Sequence, residues 1–323
     1  MLPVRCRFAS TLCANRDLLH GIVWKVNSVR VFLNERSGVG GANQQRLDKL
    51  FAARGVAATY TQLTRALNVK RLAEKDPPET AFIAAGGDGT VNCVASAVAG
   101  SGRPMGVLGV GTLNHFARDL GVPLDLEDAV QVIAAGQIRR VDAGEVNGHV
   151  FVNNSSLGAY PRMVVERERL KQNGGNKWAA LVAASLRAFV RFKCIQVEME
   201  VAGQQRTCTT PFLFIGNNPY CLDGLSVGER KRLDQGTLAL YLAPGATRRD
   251  ILRLGVKALL GKIQSDPVYE ELSVQTFSAS TSRRRALRVA LDGEVLRLRA
   301  PLVYRSLPGA LHVLCPATPE SPV

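Results

Sequence analysis

Residues 84–92, Ala-Ala-Gly-Gly-Asp-Gly-Thr-Val-Asn, place three glycines, one carboxylate and one hydroxyl between two apolar runs. Residues 80–85 form a short, glycine-free run typical of a strand, and residues 91–98 carry small apolar side chains that predict a helix. Such a strand-to-helix corner offers backbone N–H groups and the positive end of a helix dipole to an anion. Asp88 would repel a bare phosphate, so it favours a phosphate accompanied by Mg²⁺. A plain glycine turn is the alternative interpretation of Gly-Gly-Asp.

Two common phosphate-binding motifs are excluded, because the chain contains neither Gly-x4-Gly-Lys-Ser/Thr nor Gly-x-Gly-x-x-Gly. Two other segments again set small or hydroxyl residues after a predicted strand. Residues 33–41 read Leu-Asn-Glu-Arg-Ser-Gly-Val-Gly-Gly, and residues 106–123 read Gly-Val-Leu-Gly-Val-Gly-Thr-Leu-Asn-His-Phe-Ala-Arg-Asp-Leu-Gly-Val-Pro. Three such corners in the first half of the chain are more specific than any one of them.

The order of the three segments resembles the catalytic domain of the diacylglycerol kinase and sphingosine kinase family, especially its bacterial soluble lipid kinases, over about residues 29–316. The resemblance implies that ATP phosphates are held by Gly86, Gly87, Asp88, Gly89, Thr90 and Asn92. It further implies nucleotide contacts from Thr112, Asn34 and Ser37, and Thr64 is the candidate for a family threonine near the second helix. One departure is His115, which stands where the family motif often has Asp and removes one acidic group from the magnesium-linked network.

The proposed base comes from the second half. Residues 286–299 alternate apolar and polar on both sides of Asp292-Gly293, which predicts a hairpin, and a plain turn is one interpretation of that dipeptide. In the resembling kinases a Leu/Val-Asp-Gly-Glu turn presents the general base. The resemblance therefore implies Asp292 as the base that deprotonates a lipid hydroxyl, with Glu294 as its partner. An alcohol needs such a base because it is a poor nucleophile at neutral pH.

The implied cofactors are ATP and Mg²⁺. Asp88 is the first candidate for holding the metal, and Asp142 is a second candidate acting through water. A solvated acid at a strand end is the alternative interpretation of Asp142. The bacterial relatives also have a structural Mg²⁺ loop that matches residues 232–238. Gln235 stands at the liganding aspartate, which weakens the site unless Asp234 substitutes, so we do not expect this second metal.

The length and the hydrophobic fraction of 46% in 323 residues suit two domains. We expect a poorly ordered extension (residues 1–28), a nucleotide-binding α/β domain (29–140), a β-rich lipid-substrate domain (141–316) and a tail (317–323). Segment 301–316 is expected to pack back on the first domain. The first domain should hold a doubly wound, largely parallel sheet of the NAD kinase and diacylglycerol kinase type, and the second a mostly antiparallel β-sandwich. Helices are predicted at residues 44–54, 69–75, 91–98 and 126–135, and the active site in the cleft between the domains.

The charge balance favours an anionic partner. Lys and Arg total 41 against 27 acidic residues, giving a net charge of +14. No nucleic-acid-binding motif appears and aromatics are only 6%, so an anionic membrane surface is preferred over nucleic acid. Residues 177–193 and 247–262 predict amphipathic helices too short to span a bilayer; for both, core packing is favoured over interfacial insertion. Residues 283–285, three arginines, predict a solvated face, with a head-group contact as the alternative.

Several other functions are excluded. Residues 224–228 match the esterase Gly-x-Ser-x-Gly pattern without its strand-turn-helix context. The seven cysteines lack Cys-x-x-Cys spacing and indicate a reducing cytosol, and the four histidines are scattered. Residues 1–27 do not read as a signal peptide. We therefore expect a cytoplasmic protein without a transmembrane segment that reaches the inner face of the membrane peripherally.

Together these features predict an ATP-dependent lipid kinase that transfers the γ-phosphate to a hydroxyl of a diacylglycerol-, sphingoid- or phosphatidylglycerol-like lipid. One alternative is an NAD-kinase-like enzyme, since that family also uses Gly-Gly-Asp-Gly. The segment Gly111-Thr112-Leu113-Asn114-His115-Phe116-Ala117 argues against it. The other alternative is a non-catalytic nucleotide- or lipid-binding protein of the same fold, which His115 and Gln235 would permit.

Overall fold

A computed structural model describes residues 22–34, 41–64, 67–158, 194–201, 203–222, 228–281 and 285–317. Four sequence predictions fall outside these ranges: the nucleotide contact of Ser37, the helix at residues 177–193, most of the esterase-like segment, and the first two of the three arginines at 283–285.

Seventeen strands in the described ranges form two sheets. The first sheet contains β1 Ile22–Val23, β2 Ser28–Leu33, β3 Ala57–Gln62, β4 Ala81–Gly86, β5 Pro104–Gly109, β6 Gln137–Val146, β7 His149–Phe151, β9 Ile195–Val201, β10 Gln204–Thr210, β14 Thr276–Ser280 and β17 Leu302–Leu314. The second contains β8 Asn154–Gly158, β11 Phe212–Asn217, β12 Leu238–Leu242, β13 Glu270–Val274, β15 Ala286–Leu291 and β16 Glu294–Arg299. The helices are α1 Gly41–Ala52, α2 Val69–Lys75, α3 Asp88–Val98, α4 His115–Asp119, α5 Leu126–Ala135 and α6 Arg248–Leu259.

The parallel part of the first sheet has the order β5-β4-β2-β3. All six residues of β4 and all six of β5 are buried, as expected for parallel strands covered by helices on both faces. The carboxyl ends of β2, β4 and β5 therefore meet at one edge of the sheet, and the glycine-rich segments of the sequence follow these three strands.

The helix predictions are confirmed with small changes in their limits. The segments 69–75 and 126–135 are helical over those same residues, while α1 spans Gly41–Ala52. α3 begins at Asp88, three residues before the apolar run. Gly87 adopts extended geometry as its cap, and a carboxylate in the first turn is favourable toward the helix dipole.

The second sheet is antiparallel, with the order β13-β12-β11-β8-β15-β16. It packs against the antiparallel part of the first sheet through a core in which Phe277 and Tyr304 stack with ring centroids 4.6 Å apart. The molecule thus combines an N-terminal α/β unit that has a parallel sheet with a mostly antiparallel C-terminal β-sandwich, as the sequence predicts.

The last strand joins the two parts. β17 pairs in parallel with β5 through His312 and Pro104, and antiparallel with β6 and β14. One continuous sheet therefore runs from the α/β unit into the sandwich, and the relative placement of the two parts is fixed by strand pairing.

The last seven residues of the expected poorly ordered extension, residues 1–28, lie within the part of the chain that the structure describes. Residues 22–28 are packed: β1 pairs with β6 through Ile22 and Ile138, and Trp24 N donates to Gly136 O at 2.7 Å. Val26 is buried in the first core. Two strand residues carry too weak a periodic signal to be recognised without their partner.

Candidate active site

The glycine-rich turn connects β4 to α3. β4 ends at Gly86, and Gly87 caps the helix that starts at Asp88. Gly86 has no room for a side chain, because a Cβ there would overlap the hydroxyl of Thr90. The first N–H groups of a helix lack intrahelical partners and carry the positive end of the dipole. The turn can therefore accept an anion, and Asp88 places one carboxylate beside it.

A second glycine turn follows β5 and lies directly against the first. A Cβ on Gly111 would be 2.5 Å from Gly87 Cα. Asn114 fixes this turn in a left-handed conformation with φ of 51°. Its Oδ1 accepts from Gly111 N at 3.0 Å, and its Nδ2 donates to Gly109 O and Gly111 O, each at 3.0 Å. The two turns thus form one continuous backbone surface.

α4 starts at this second turn and touches the first. Phe116 N donates to Asp88 Oδ1 at 3.4 Å, so the start of α4 helps to orient that carboxylate. His115 and Thr112 are both exposed next to this contact. The position at which the sequence departs from the family motif is therefore at the glycine surface itself.

The nucleotide candidates from β2 and β3 lie differently. Asn34 follows β2 and its Nδ2 donates to Thr90 Oγ1 at 3.3 Å, which brings it to the glycine turn. Thr64 follows β3, is exposed, and is separated from β4 by the width of β2. Ser37 is outside the described residues.

The carboxylate of Asp292 is held by four donors. Asp292 occupies the turn between β15 and β16 with φ of 45°. Its Oδ1 accepts from Asn153 N at 2.8 Å and Asn154 N at 2.9 Å. Its Oδ2 accepts from Val152 N at 2.8 Å and Asn92 Nδ2 at 2.6 Å. The hairpin that the sequence predicts is therefore present, and its aspartate is docked on the loop between β7 and β8.

The glycine turn and the Asp292 hairpin face each other. Asn92, on the second turn of α3, donates to Asp292 across 200 residues of sequence. A Cβ on Gly89 would be 3.7 Å from Glu294 Oε1. The glycine-rich corner and the carboxylate hairpin are thus neighbours, joined through Asn92 and with Glu294 beside Gly89. Sequence reasoning assigned Asn92 to the nucleotide, whereas here its amide contacts the opposite carboxylate.

Burial sets the basicity of Asp292. Desolvation raises its pKa above the ordinary aspartate value of 3.8, and the N–H groups of Val152, Asn154 and Asn153, followed by the charge of Arg230, act in the opposite direction. A carboxylate with a raised pKa is a better proton acceptor than an exposed one once it is ionised.

Arg230 is buried against the loop between β7 and β8, which contacts Asp292. It is 3% exposed and pairs with Asp119 through Nε and Nη2 at 2.8 and 2.7 Å. Nη1 donates to Val152 O at 2.7 Å and Nη2 to Asn153 Oδ1 at 2.7 Å. Because Asp119 ends α4, this arginine links the second glycine turn to the loop that holds Asp292. Sequence reasoning missed it, since Glu229-Arg230-Lys231-Arg232 reads as a solvated charge run.

Asp142 is buried and structural in its contacts. It is 2% exposed, Oδ2 accepts from Gly236 N at 2.6 Å, and Oδ1 accepts from Gly309 N at 2.8 Å. The solvated strand-end interpretation is therefore wrong. These bonds tie the loop before β12 to the bulge in β17, and Gln235 N donates to Asn218 Oδ1 in the same loop at 3.0 Å.

The acidic groups suit a metal that arrives with phosphates. Among the described residues no three His, Cys, Asp or Glu side chains gather into a group that could hold an ion alone. Mg²⁺ commonly uses one or two carboxylates plus substrate phosphate oxygens and waters. Asp88, beside the glycine amides, fits that arrangement.

Comparison with known families covers both parts of the chain. Residues 28–146 match the Diacylglycerol kinase catalytic domain, and residues 159–315 match the YegS C-terminal NAD kinase beta sandwich-like domain. A Pseudomonas aeruginosa protein named Probable lipid kinase YegS-like is 31% identical over 239 residues, which are 73% of this chain and 76% of the relative. An uncharacterized protein of Synechocystis is 25% identical over 73% of this chain, which spans only 54% of that relative.

A solved structure shares the fold. The crystal structure of a diacylglycerol kinase from Bacillus anthracis covers 90% of this chain and 98% of its own, with a TM-score of 0.69 and 19% identity. Within the described ranges, no helix is long and apolar enough to cross a bilayer. By both domain matches and by the Pseudomonas relative, the chain belongs to the diacylglycerol kinase catalytic-domain family of kinases.

Proposed function

We propose that this protein is an ATP-dependent lipid kinase that transfers the γ-phosphate to a hydroxyl of an amphiphilic lipid alcohol. The observation that carries the proposal is the approach of the two turns: Asn92 bonds to Asp292, and Glu294 reaches Gly89. A phosphate held by the first turn would lie within reach of a base held by the second, which is the arrangement that in-line phosphoryl transfer needs.

The nucleotide side is assigned to the two glycine turns. The backbone of Gly86, Gly87 and Gly89 receives the phosphate chain, because it leads into the start of α3, where the first N–H groups lack intrahelical partners. Thr90, Asn34 and Thr112 add hydroxyl and amide groups, and Ser37 and Thr64 are retained as outer contacts of the nucleotide. Asp88 would hold Mg²⁺, with Asp142 as a more remote, water-linked candidate. The metal, when bound, neutralises charge on the phosphate oxygens.

The acceptor side is assigned to Asp292 and Glu294. A carboxylate offers about four lone-pair sites, and the four donors around Asp292 fill them. Three of those donors are backbone groups fixed by the fold, whereas Asn92 is a side chain. The substrate hydroxyl therefore takes the place of the Asn92 amide. Asp292 accepts its proton as the oxygen bonds to the γ-phosphorus, and the bond from that phosphorus to the β–γ bridging oxygen breaks to release ADP. Glu294, exposed beside it, orients the incoming hydroxyl.

The substrate class is a lipid presented at a surface. The net charge of +14 draws the protein toward anionic membranes, and relatives carry the names lipid kinase and diacylglycerol kinase. The proposed location is the cytoplasm, with peripheral contact to the inner face of the membrane. Diacylglycerol, a sphingoid base and phosphatidylglycerol are the candidate acceptors.

A transfer assay tests this function. Purified protein is incubated with γ-labelled ATP, Mg²⁺ and a panel of diacylglycerol, sphingoid base, phosphatidylglycerol, polyprenol and NAD. The proposal expects label in an organic-phase product that disappears with Asp292→Asn. Label on NAD alone would favour the NAD-kinase-like alternative. Nucleotide binding without transfer to any acceptor would favour the non-catalytic alternative.

A further inference from the structure

α6 buries only one of its faces. Leu254 is 4% exposed and packs with Ala243 and Ala246 at the end of β12. On the other face, Leu252, Val256 and Leu260 are 61%, 50% and 65% exposed. Their spacing of four residues places these three side chains, here called the α6 stripe, in one line along the helix. The sequence predicts that the helix at residues 247–262 packs against the core, and only one face of α6 does so.

The α6 stripe is unusual for this molecule. The described residues contain six large hydrophobic side chains that are exposed, and three of them belong to the stripe. The other three, Val23, Leu113 and Leu124, are scattered along the N-terminal part of the chain. Single exposed apolar side chains need no explanation, but an aligned group marks an interaction surface.

The charge beside the stripe is positive. Arg248 and Arg249 are exposed in the first turn of α6, and at 100° per residue both lie within about 60° of Leu252 around the axis. Lys262 is exposed just past the end of the helix. These cations flank the apolar line, which is the pattern of a helix lying at a charged bilayer interface.

Two acidic groups on or next to α6 are paired with cations. Asp250 and Asp266 both pair with Arg253, at 2.9 and 2.7 Å, and Lys257 lies 3.0 Å from Asp266. The guanidinium of Arg253 holds the pKa of Asp266 well below its usual range, so the carboxylate stays ionised and keeps these two cations occupied. The pairs that these two carboxylates form with Arg253 and Lys257 do not involve Arg249 or Lys262.

We propose that the α6 stripe docks on an anionic lipid surface, with Leu252, Val256 and Leu260 at the acyl boundary and Arg248, Arg249 and Lys262 among the head groups. α6 has 12 residues, too few to span a bilayer, so it lies in the plane of the interface. The inference deepens the proposed function and rests on it for its purpose, since a lipid kinase has to reach a substrate embedded in a membrane.

The charge of residues 159–193 argues against this segment of the same chain as the partner of the α6 stripe. Residues 159–193 are bounded by Gly158, which pairs with Phe212, and by Cys194, whose Sγ lies 3.9 Å from Ala246 O beside the base of α6. By sequence this segment carries eight basic and two acidic residues. It has the same sign as the cations next to the stripe, whereas an anionic lipid surface has the opposite sign.

Vesicle sedimentation of the full chain tests the docking site. The vesicles are phosphatidylcholine alone and phosphatidylcholine with phosphatidylglycerol. The variants are Leu252→Asp/Val256→Asp on the stripe, Arg249→Glu/Lys262→Glu beside it, and Val23→Asp as a matched exposed control. We expect wild type and Val23→Asp to bind the anionic vesicles, and both other variants to lose at least about tenfold in partitioning.

The outcomes separate docking from catalysis. Sedimentation requires no turnover, so a protein without kinase activity still answers the docking question. If the kinase proposal also holds, the stripe variant should phosphorylate a short-chain, monomeric substrate at the wild-type rate and a vesicle-embedded one more slowly. Docking is overturned if wild type ignores anionic vesicles, if the stripe variant binds like wild type, or if phosphatidylcholine binds equally well. Docking is also overturned if the stripe variant unfolds at a lower temperature than wild type, which would assign the stripe to contact with residues 159–193. It is overturned as well if wild type is a dimer and the stripe variant is a monomer, which would assign the stripe to contact with a second copy.

Discussion

The chain contains Asp-Gly at two neighbouring corners of the site, and the two aspartates have different surroundings. Asp88 stands at the start of α3, where one long hydrogen bond from Phe116 N reaches its carboxylate. Asp292 stands between two antiparallel strands, where four donors surround its carboxylate. The same dipeptide thus gives one carboxylate that accepts a single long hydrogen bond from Phe116 N and one that is desolvated and fixed by four donors. Surroundings, and not the local motif, decide the role.

The largest expected effect is on the fixed carboxylate. Asp292→Asn keeps the left-handed turn, since Asn tolerates positive φ, but removes the proton acceptor. We expect the rate of lipid phosphorylation to fall by roughly 10²–10⁴-fold, the usual contribution of a general base, while ATP binding is retained. Steady-state kinetics and nucleotide titration measure the two. An active variant would remove Asp292 from the chemistry and erase the contrast with Asp88.

The next largest effect is expected for Arg230, which holds the loop that contacts Asp292. Arg230→Gln leaves Asp119 buried without its partner and removes one of the two side-chain donors to the carbonyl of Val152, the other being Asn217 Nδ2. Breaking a buried pair in this way costs about 3–5 kcal/mol of unfolding free energy. Denaturant unfolding measures it, and Arg232→Gln, which breaks an exposed pair with Asp234, is the control. A loss no larger than in the control would mean that Arg230 does not hold the loop.

The open carboxylate should behave differently from the fixed one. Asp88→Asn is expected to weaken Mg²⁺-dependent nucleotide binding and turnover by roughly 10- to 100-fold, the range for groups that orient a metal. The carboxylate of Asp88 accepts one hydrogen bond, from Phe116 N, whereas that of Asp292 accepts four. The free energy of unfolding should therefore change little in Asp88→Asn. Titration of ATP with and without Mg²⁺ distinguishes a metal role from a structural one. Unchanged Mg²⁺ dependence would contradict the assignment.

A side chain added where the two glycine turns touch should lower stability and nucleotide affinity, whereas one added to a glycine away from that contact should not. Gly111→Ala puts a Cβ 2.5 Å from Gly87 Cα and forces the turns apart. Overpacking of this kind costs about 1–3 kcal/mol, and nucleotide affinity should fall with it. Gly255→Ala on α6 meets open space and should instead stabilise the helix by about 1 kcal/mol. Thermal unfolding and ATP titration of the pair give the answer; equal behaviour of the two variants would refute the close contact.

The smallest expected effect is a shift in the pH dependence of the reaction rate. Asn92 donates to the ionised form of Asp292, so Asn92→Ala should raise the pKa of that carboxyl further. Since the base acts when ionised, the acid limb of the kcat/KM profile should move to higher pH, while the plateau above it is retained. Ser96→Ala, which removes the other partner of the Asn92 amide, should shift it less. An acid limb that stays in place or moves to lower pH would exclude Asn92 as the occupant of the fourth lone pair.

Sequence alone predicts the local parts of this comparison. The parallel strands, the limits of α2 and α5, and the Asp292 hairpin follow from periodicity and turn chemistry, which act within about ten residues. The motifs place Asp88, Gly86 and Thr90 at one corner because they are contiguous in the chain.

The contacts that fix the site could not be predicted. Arg230 and Asp119 are 111 residues apart, and Asn92 and Asp292 are 200 apart. Asp142 reads as a surface acid until β17 returns beside β6 and buries it. No local pattern distinguishes a buried arginine or aspartate from a solvated one, because their burial depends on strands that join late in the chain.

The proposed mechanism requires both turns to act on one phosphate chain. It is tested most directly by a crystal structure of the full chain with Mg²⁺ and a non-hydrolysable ATP analogue. We expect the γ-phosphate to lie against the backbone of Gly87 and Gly89, on the side of α3 that faces Asp292 and Glu294. A nucleotide bound with its γ-phosphate away from the hairpin, or bound outside the glycine turns, would contradict it.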